Sequence, residues 1–537
     1  MVRVSHPPAI LGMELDETQA LVPRYEEDEE DEDASSVDYS AQLDAVLGNG
    51  RYQWLATLTC GLGVAAGSTE VMAIALALPE IEIEFGVGEA TQWQRNMVAS
   101  CIFIGMLLGG LISGFTSDLK GRKSCLIFFT GFIAVFGAMT AFAKSLSQVA
   151  AFRFLTGLGI GGNIPSIFSY VAETTSSKVR GKYMTVVASN WMLGSVVTAA
   201  VGWIVLPRNL SLKFIPVEGW RLYFLISVVP SVLTCALALL FLVESPCFLI
   251  QRNNLSRAAL ALERIAQVNE GSKHLGKGGL LAELLATLRS RQEPKEVGGD
   301  RECVALMDGL RAKASIVCGL LKQDKERKLV IVLATVWFSL SACWYGFMIW
   351  LPLFFQAKHD NVYLGNLVTS AGDLPGNIMS FLLIDRVGRK RTLLVSLAAA
   401  AMSPLAFAAA PKGSTLWAMA GSACFGFVSV GAWNALSILS PEAFDTRVRT
   451  TMHGLLTAVG RVGGFFGTYI VGHIQNRAGA GVWFPCVFAS SVLGLGCLAT
   501  MFVPETTGKI VTDYKLRGSG RPVGGQRIEE AGSALLA

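Results

Sequence analysis

Four charged residues stand inside otherwise apolar stretches: Glu70, Arg153, Asp373 and Arg461. An ionised side chain in hydrocarbon is expensive unless it is paired or faces a wet cavity. These four are therefore the first candidates for ion coupling or for holding the charge of a substrate. Other charges gather where apolar stretches end. One such group is Gly114-Phe115-Thr116-Ser117-Asp118-Leu119-Lys120-Gly121-Arg122-Lys123, and a related phrase, Asp385-Arg386-Val387-Gly388-Arg389-Lys390-Arg391, comes later. Carboxylates beside cations can form charge-assisted hydrogen bonds that are made and broken as helices move. Bond-making chemistry has no such candidates. The eleven Cys mostly lie in apolar runs, the five His are scattered, and no spacing fits a metal or a nucleophile–base pair. Gly157-x-Gly159-x-Gly161-Gly162 imitates a dinucleotide fingerprint, but it lies in an apolar run with no strand before it and reads as close helix packing. Gly271 to Lys277 imitates a phosphate loop but lacks the Ser or Thr that follows the Lys. Neither an enzyme nor a cofactor is expected.

Charges so placed need helices long enough to cross a bilayer, whose ~30 Å core takes ~20 residues at ~1.5 Å each. Of the 537 residues 52% are hydrophobic and only 16% charged, and the mean hydropathy is +0.47. A soluble domain carries closer to ~25% charged residues, so the chain reads as an all-α polytopic membrane protein. About twelve apolar segments lie near 53–79, 95–116, 124–143, 148–172, 184–207, 222–243, 329–356, 362–384, 392–410, 416–440, 452–474 and 482–503. They form two six-helix halves, 51–246 and 329–504, joined by a polar linker, 247–328. The linker holds an amphipathic helix from Ser256 to Val268, with Leu260, Leu262, Ile265 and Ala266 as its apolar residues.

Residues 1–50 include the acidic run Glu26 to Asp33 and read as a disordered tail; 505–537 form a second tail. With both termini cytoplasmic, the short inner loops hold about twelve Lys/Arg and the outer ones about seven, the favoured sense. The first outer loop is acidic (Glu80, Glu82, Glu84, Glu89), and Asn209-Leu210-Ser211 offers a glycosylation sequon in another. The net charge of +4 gives no reason to expect nucleic acid. The lipid bilayer is the partner the composition demands, and a monomer is expected.

Three landmarks recur in order in both halves. Asp118-x-x-Gly-Arg-Lys is answered by Asp385-x-x-Gly-Arg-Lys. Glu173, seven residues before Arg180, is answered by Glu442, seven before Arg449. Glu244-Ser245-Pro246 is answered by Pro504-Glu505-Thr506. Matched six-helix repeats point to a transporter with substrate held between the halves near mid-membrane. Over 50–506 the chain resembles the major facilitator superfamily, whose hallmark is the Gly-x-x-x-Asp-x-x-Gly-Arg-Lys loop. It is further similar to the synaptic-vesicle-two-related group, through Asp44-Ala45-Val46, Gly50-Arg51-Tyr52-Gln53-Trp54, Asp373-Leu374-Pro375-Gly376 and Ser440-Pro441-Glu442. The long folded outer loop of the synaptic vesicle glycoproteins is absent, since only about five residues near Lys358–Asn361 separate the seventh and eighth segments.

The resemblance implies a 12-helix major-facilitator fold with pseudo-twofold symmetry and a secondary transporter of a small organic ion. It implies a conformational latch of Asp118, Gly121, Arg122, Lys123, Glu173 and Arg180, repeated by Asp385, Gly388, Arg389, Glu442 and Arg449. The latch would hold the halves together on the inner side while the cavity opens outward. In proton-coupled relatives an acid on the first span pairs with an arginine on the fourth, so Glu70 and Arg153 are either a coupling pair or a structural one. Where related sequences carry a second acid one turn before Glu70, this chain has Gly67. Asp373 and Arg461 are the matching suspects in the second half, with Asn190, Trp191, Trp344, Tyr345, Trp433 and Asn434 as further cavity candidates. Paired charges among aromatics suit an organic ion better than a sugar. The rival reading is a transport-silent vesicle or sensor protein of the same fold. The membrane is the plasma membrane or that of a vesicle.

Overall fold

The computed structural model describes residues 47–270, 319 and 322–505, apart from 48, 89–90, 209–210, 213–214, 359, 412, 445–448 and 476–480. The acidic tail, most of the linker, the second tail and the Asn209 sequon lie outside the described residues.

Apolar runs of this length can satisfy their backbone groups in lipid only by forming helices, and they do. Spans one to five are Arg51–Phe85, Gln92–Lys120, Arg122–Thr140, Leu146–Thr174 and Ser177–Val205. Span six comprises Gly219–Ser227 and Val229–Phe241. Spans seven to twelve are Asp324–Ala357, Val362–Val387, Arg389–Ala409, Thr415–Glu442, Arg449–Gln475 and Trp483–Thr500. Span six breaks before Pro230, which has no N–H to donate; the Ser231 N–H turns to the Val228 carbonyl, and the Thr69 hydroxyl donates to the Ser227 carbonyl at 3.1 Å. The all-helical expectation has one small exception, a two-stranded hairpin of Ser211–Leu212 with Ile215–Glu218 between spans five and six.

Span four carries Gln148, Arg153 and Asn163, and it packs tightly on span two. A Cβ at Gly157 or Gly161 would lie 2.1 or 2.0 Å from the carbonyl oxygen of Ile102 or Met106. The glycine run is thus a helix-packing seam, the small-residue device of membrane helices. The linker helix, Leu255–Glu270, lies on the first half, with Asn269 accepting from the Tyr52 N–H at 2.8 Å and donating to Gln53 at 3.0 Å. Its buried stripe is Leu255, Ala258, Ala259, Leu262 and Ile265. Leu260 was expected on that stripe but is 62% exposed, because at 3.6 residues per turn it points away from Leu262 and Ile265.

The two charged turns are built alike and lie on one face, called here the motif face. Span two meets span three at Gly121, and span eight meets span nine at Gly388, with φ of +97° and +103°. L-residues avoid that region. At Gly121 space matters as well, since a Cβ would lie 2.4 Å from a carboxylate oxygen of Glu244. Glu244 accepts from the Lys123 N–H at 2.9 Å, capping span three and meeting its helix dipole. Glu505 accepts from the Lys390 N–H at 3.3 Å at the start of span nine. Replacing Gly121 with Val should lower stability by roughly 2–3 kcal/mol through the strained backbone alone, with more lost as Glu244 is displaced. Thermal unfolding of the purified protein checks this, and an unchanged melting temperature would contradict it.

Candidate functional site

On the motif face each half keeps its own ion network. Arg122 is 3.2 Å from Asp118 and 2.8 Å from Glu173, and Ser245 donates to the same Glu173 at 2.5 Å. In the second half Arg389 is 3.3 Å from Asp385 and 3.2 Å from Glu442, while Arg449 donates to the Pro441 carbonyl at 3.0 Å. Among the described residues none of these ion pairs joins one half to the other. Arg180 is not in the network, its Nε being buried without a hydrogen-bond partner.

The halves meet at the opposite ends of the same helices. Arg95, near the start of span two, pairs with Glu82 at 3.0 Å and lies 4.8 Å from the ring centroid of Trp350 in span seven. Trp350 donates to the Thr468 carbonyl at 2.8 Å, and Gly472 of span eleven lies against Trp350 and Asn96. A small gap nearby is lined by Met72, Ser195, Met348 and Asn366 among others. Among the described residues, the ion pairs of the motif turns given above do not form the expected latch across the motif face.

Glu70 and Arg153 are brought together, both with no exposed surface. Arg153 Nη1 is 3.0 Å from Glu70 Oε2, and Nη2 donates to the Glu70 carbonyl at 2.6 Å. The guanidinium also lies 5.6 Å from the Phe224 ring centroid, and Gly137 of span three closes over the carboxylate. Gly67 packs against Ile160 and Trp191, so the position of the missing second acid is filled by neighbours.

Asp373 and Arg461 are not brought together. Asp373 is 1% exposed between spans eight and ten, its Oδ1 against Gly426 with no hydrogen-bond partner. Arg461 instead donates from Nη1 to the Tyr345 hydroxyl at 3.2 Å. The two residues sit at similar depths by residue count, but their helices turn them toward different neighbours.

Three of the predicted aromatics form one cluster beside Arg461. Ring centroids are 4.9 Å apart for Trp344 and Tyr345, 6.2 Å for Tyr345 and Trp433, and 6.2 Å for Trp344 and Trp433. Phe103 of span two reaches Tyr345 at 4.5 Å, so the cluster spans both halves. Asn434 donates to Asn377 at 2.8 Å, and Asn377 donates to Ser189 of span five at 2.9 Å, a second bridge between the halves. Asn190 and Trp191 pack within the first half, against Gly61 and Gly67.

Reading the sequence missed Ser189, Asn377, Phe103, Trp337, His453 and the Arg95–Trp350 contact. His453 faces Trp337 at 5.8 Å, and Trp337 faces Trp433 at 5.7 Å. Polar residues on spans five and eight, the spans beside the opposite half, would have flagged Ser189 and Asn377. Nothing in the sequence flags Phe103.

These paired halves, with their repeated charged turns, are those of a membrane transporter. The family described as "Sugar (and other) transporter" matches residues 57–515. The chain belongs to that family. It is 24% identical to synaptic vesicle glycoprotein 2A of Bos taurus, over 88% of this chain and 80% of that one. Organic cation/carnitine transporter 7 of Arabidopsis thaliana is 28% identical, over 87% and 94%. Niacin transporter NiaP of Acinetobacter baylyi is 26% identical, over 87% and 97%. Among solved structures the chain is similar to the inward open xylose transporter XylE from E. coli, with a TM-score of 0.65 and 17% identity over 85% of this chain and 97% of that one. At that identity the likeness shows the major-facilitator fold alone. The chain is a multi-pass integral membrane protein of a transporter family, not an enzyme.

Proposed function

We propose that the protein is a secondary active transporter that moves a small organic ion by rocking two six-helix halves, 51–246 and 329–504, about a site between them. The observation that carries this reading is the asymmetry between the faces. Spans two, seven and eleven close one face across the halves, while every described ion pair of the motif turns stays within its own half. A bundle caught with one gate shut has this pattern. The motif face is cytoplasmic, as are both termini, in keeping with the cations gathered there. The relatives named for organic cations, carnitine and niacin support a small organic substrate. The vesicle glycoprotein relative leaves both a vesicle membrane and the plasma membrane as sites of action. The protein works as a monomer and without nucleic acid.

Uptake of labelled organic anions, organic cations and sugars into proteoliposomes tests this, with and without an imposed pH gradient. Glu70→Gln and Asp373→Asn serve as companion variants. Gradient-driven uptake that is lost in Glu70→Gln is the result for a proton-coupled carrier with its switch in span one. Uptake indifferent to pH makes Glu70–Arg153 a structural pair. Asp373→Asn is expected to transport normally, because its carboxylate is closed off between spans eight and ten. No uptake by protein shown to be folded would favour a transport-silent vesicle or sensor protein.

A further inference from the structure

The linker helix, Leu255–Glu270, has a second face. Its buried stripe lies on the first half, and at 3.6 residues per turn Arg257, Leu260 and Arg264 share the opposite side. All three are exposed. A single exposed leucine is ordinary. A leucine set between two guanidiniums three residues before it and four after it makes a surface with an apolar centre and a cationic rim. Among the described residues no carboxylate pairs with either guanidinium.

The chain itself carries a segment of the complementary pattern. Glu26 to Asp33 are eight acids without a break, and Leu21, Val22 and Tyr25 stand just before them. Fully extended, the fourteen residues from Asp33 to Leu47 reach about 46–50 Å. Leu47 is buried in the same apolar cluster as Leu262 and Ile265 of the linker helix, and Asn269 at the end of that helix holds the Tyr52 N–H. The tail therefore departs beside the linker helix, whose sixteen residues are only about 24 Å long. Lys182 of span five, 5.4 Å from the Trp54 ring centroid, adds a cation near the same point. Tethering keeps the acidic run at a high local concentration over any site within that reach.

We propose that the acidic run Glu26 to Asp33 docks on the outer face of the linker helix, its carboxylates on Arg257 and Arg264 and the apolar residues before it against Leu260. The face is then occupied by the chain's own tail, and another acidic partner binds there only when the tail leaves. This is independent of what the protein transports.

The test uses the full chain in neutral phosphatidylcholine nanodiscs and a fluorescent peptide of residues 20–34. A second full chain has every Glu→Gln and Asp→Asn from Glu26 to Asp33, which empties the face. Fluorescence anisotropy should show the peptide binding this neutralised chain roughly tenfold more tightly than the parent, whose own tail competes. Adding Arg257→Gln and Arg264→Gln to the neutralised chain should weaken binding roughly tenfold, within the range for two exposed ion pairs. Leu260→Ser should weaken it further. About 1 M salt, which screens charges beyond ~3 Å, should abolish it. These positions are exposed, so all variants should melt as the parent does. Equal binding to parent and neutralised chain would leave the face to a separate acidic partner and overturn docking of the tail. Binding unchanged by the arginine substitutions, or no binding to the neutralised chain, also overturns it. In phosphatidylserine nanodiscs the arginine substitutions should still weaken binding; if their effect vanishes there, the face belongs to the anionic bilayer and the tail assignment falls.

Discussion

Replacing Arg153 with Met while Glu70 remains should strongly destabilise the folded protein, and replacing Glu70 with Leu in the same chain should restore its stability. Both side chains are fully buried, with Arg153 bonded to the Glu70 carboxylate at 3.0 Å and to its carbonyl at 2.6 Å. Removing one partner leaves an uncompensated buried charge, which costs about 3–5 kcal/mol. That is a large share of a typical total stability of ~5–15 kcal/mol. Replacing both by apolar groups of similar volume is often neutral or stabilising, because the desolvation cost disappears with the charges. Detergent-solubilised yield and melting temperature of the two single variants and the double variant decide it. A single Arg153→Met as stable as the parent would show that the ion pair is dispensable. The double variant then serves function. If it folds and still accumulates substrate against a pH gradient, coupling lies elsewhere; if it transports only downhill, the pair is the coupling element.

The fold was legible because its determinants are local or repeated. Twelve apolar runs and three landmarks that recur in both halves can each be read from spacing. The landmark Glu244-Ser245-Pro246 turned out to be two devices in sequence, a cap on span three through Glu244 and a ligand of Glu173 through Ser245. The Glu70–Arg153 pair was legible too, since two opposite charges in one six-helix half have few other ways to be solvated. The rest depends on helix rotation and on contacts between halves, which hydropathy does not encode. Asp373 and Arg461 had matching depths, yet one faces Gly426 and the other Tyr345. Leu260 was placed on the wrong side of the linker helix by composition where angular position decides. Phe103 reads as one more apolar residue of span two until Tyr345 from the other half is set against it.

Arg95→Met should open the closed face. The guanidinium over the Trp350 ring is a contact between halves, and it is buried, with Arg95 8% and Trp350 0% exposed. A desolvated cation–π contact of this kind is worth about 2 kcal/mol. It exists only in the state with this face shut, so losing it shifts the balance between the two states by roughly thirtyfold. Met keeps much of the side-chain volume, so packing around Asn96 and Gly472 is largely retained. The substitution also strands Glu82, and Glu82→Gln alone controls for that, since it removes the ion pair but leaves the stack. Nitroxide labels at the exposed motif-face positions, attached through Lys120→Cys and Arg391→Cys, report the outcome as a distance distribution. When the closed face opens, the motif face must draw together, and a shorter-distance population should grow in Arg95→Met but not in Glu82→Gln. In that population the Asp118 and Asp385 turns would approach the opposite half, and only there would a latch across the motif face be made. Equal distributions in all three proteins would mean that the stack does not gate the transition. The closure would then rest on the apolar contacts of spans two and eleven and on the Ser189–Asn377–Asn434 bridge.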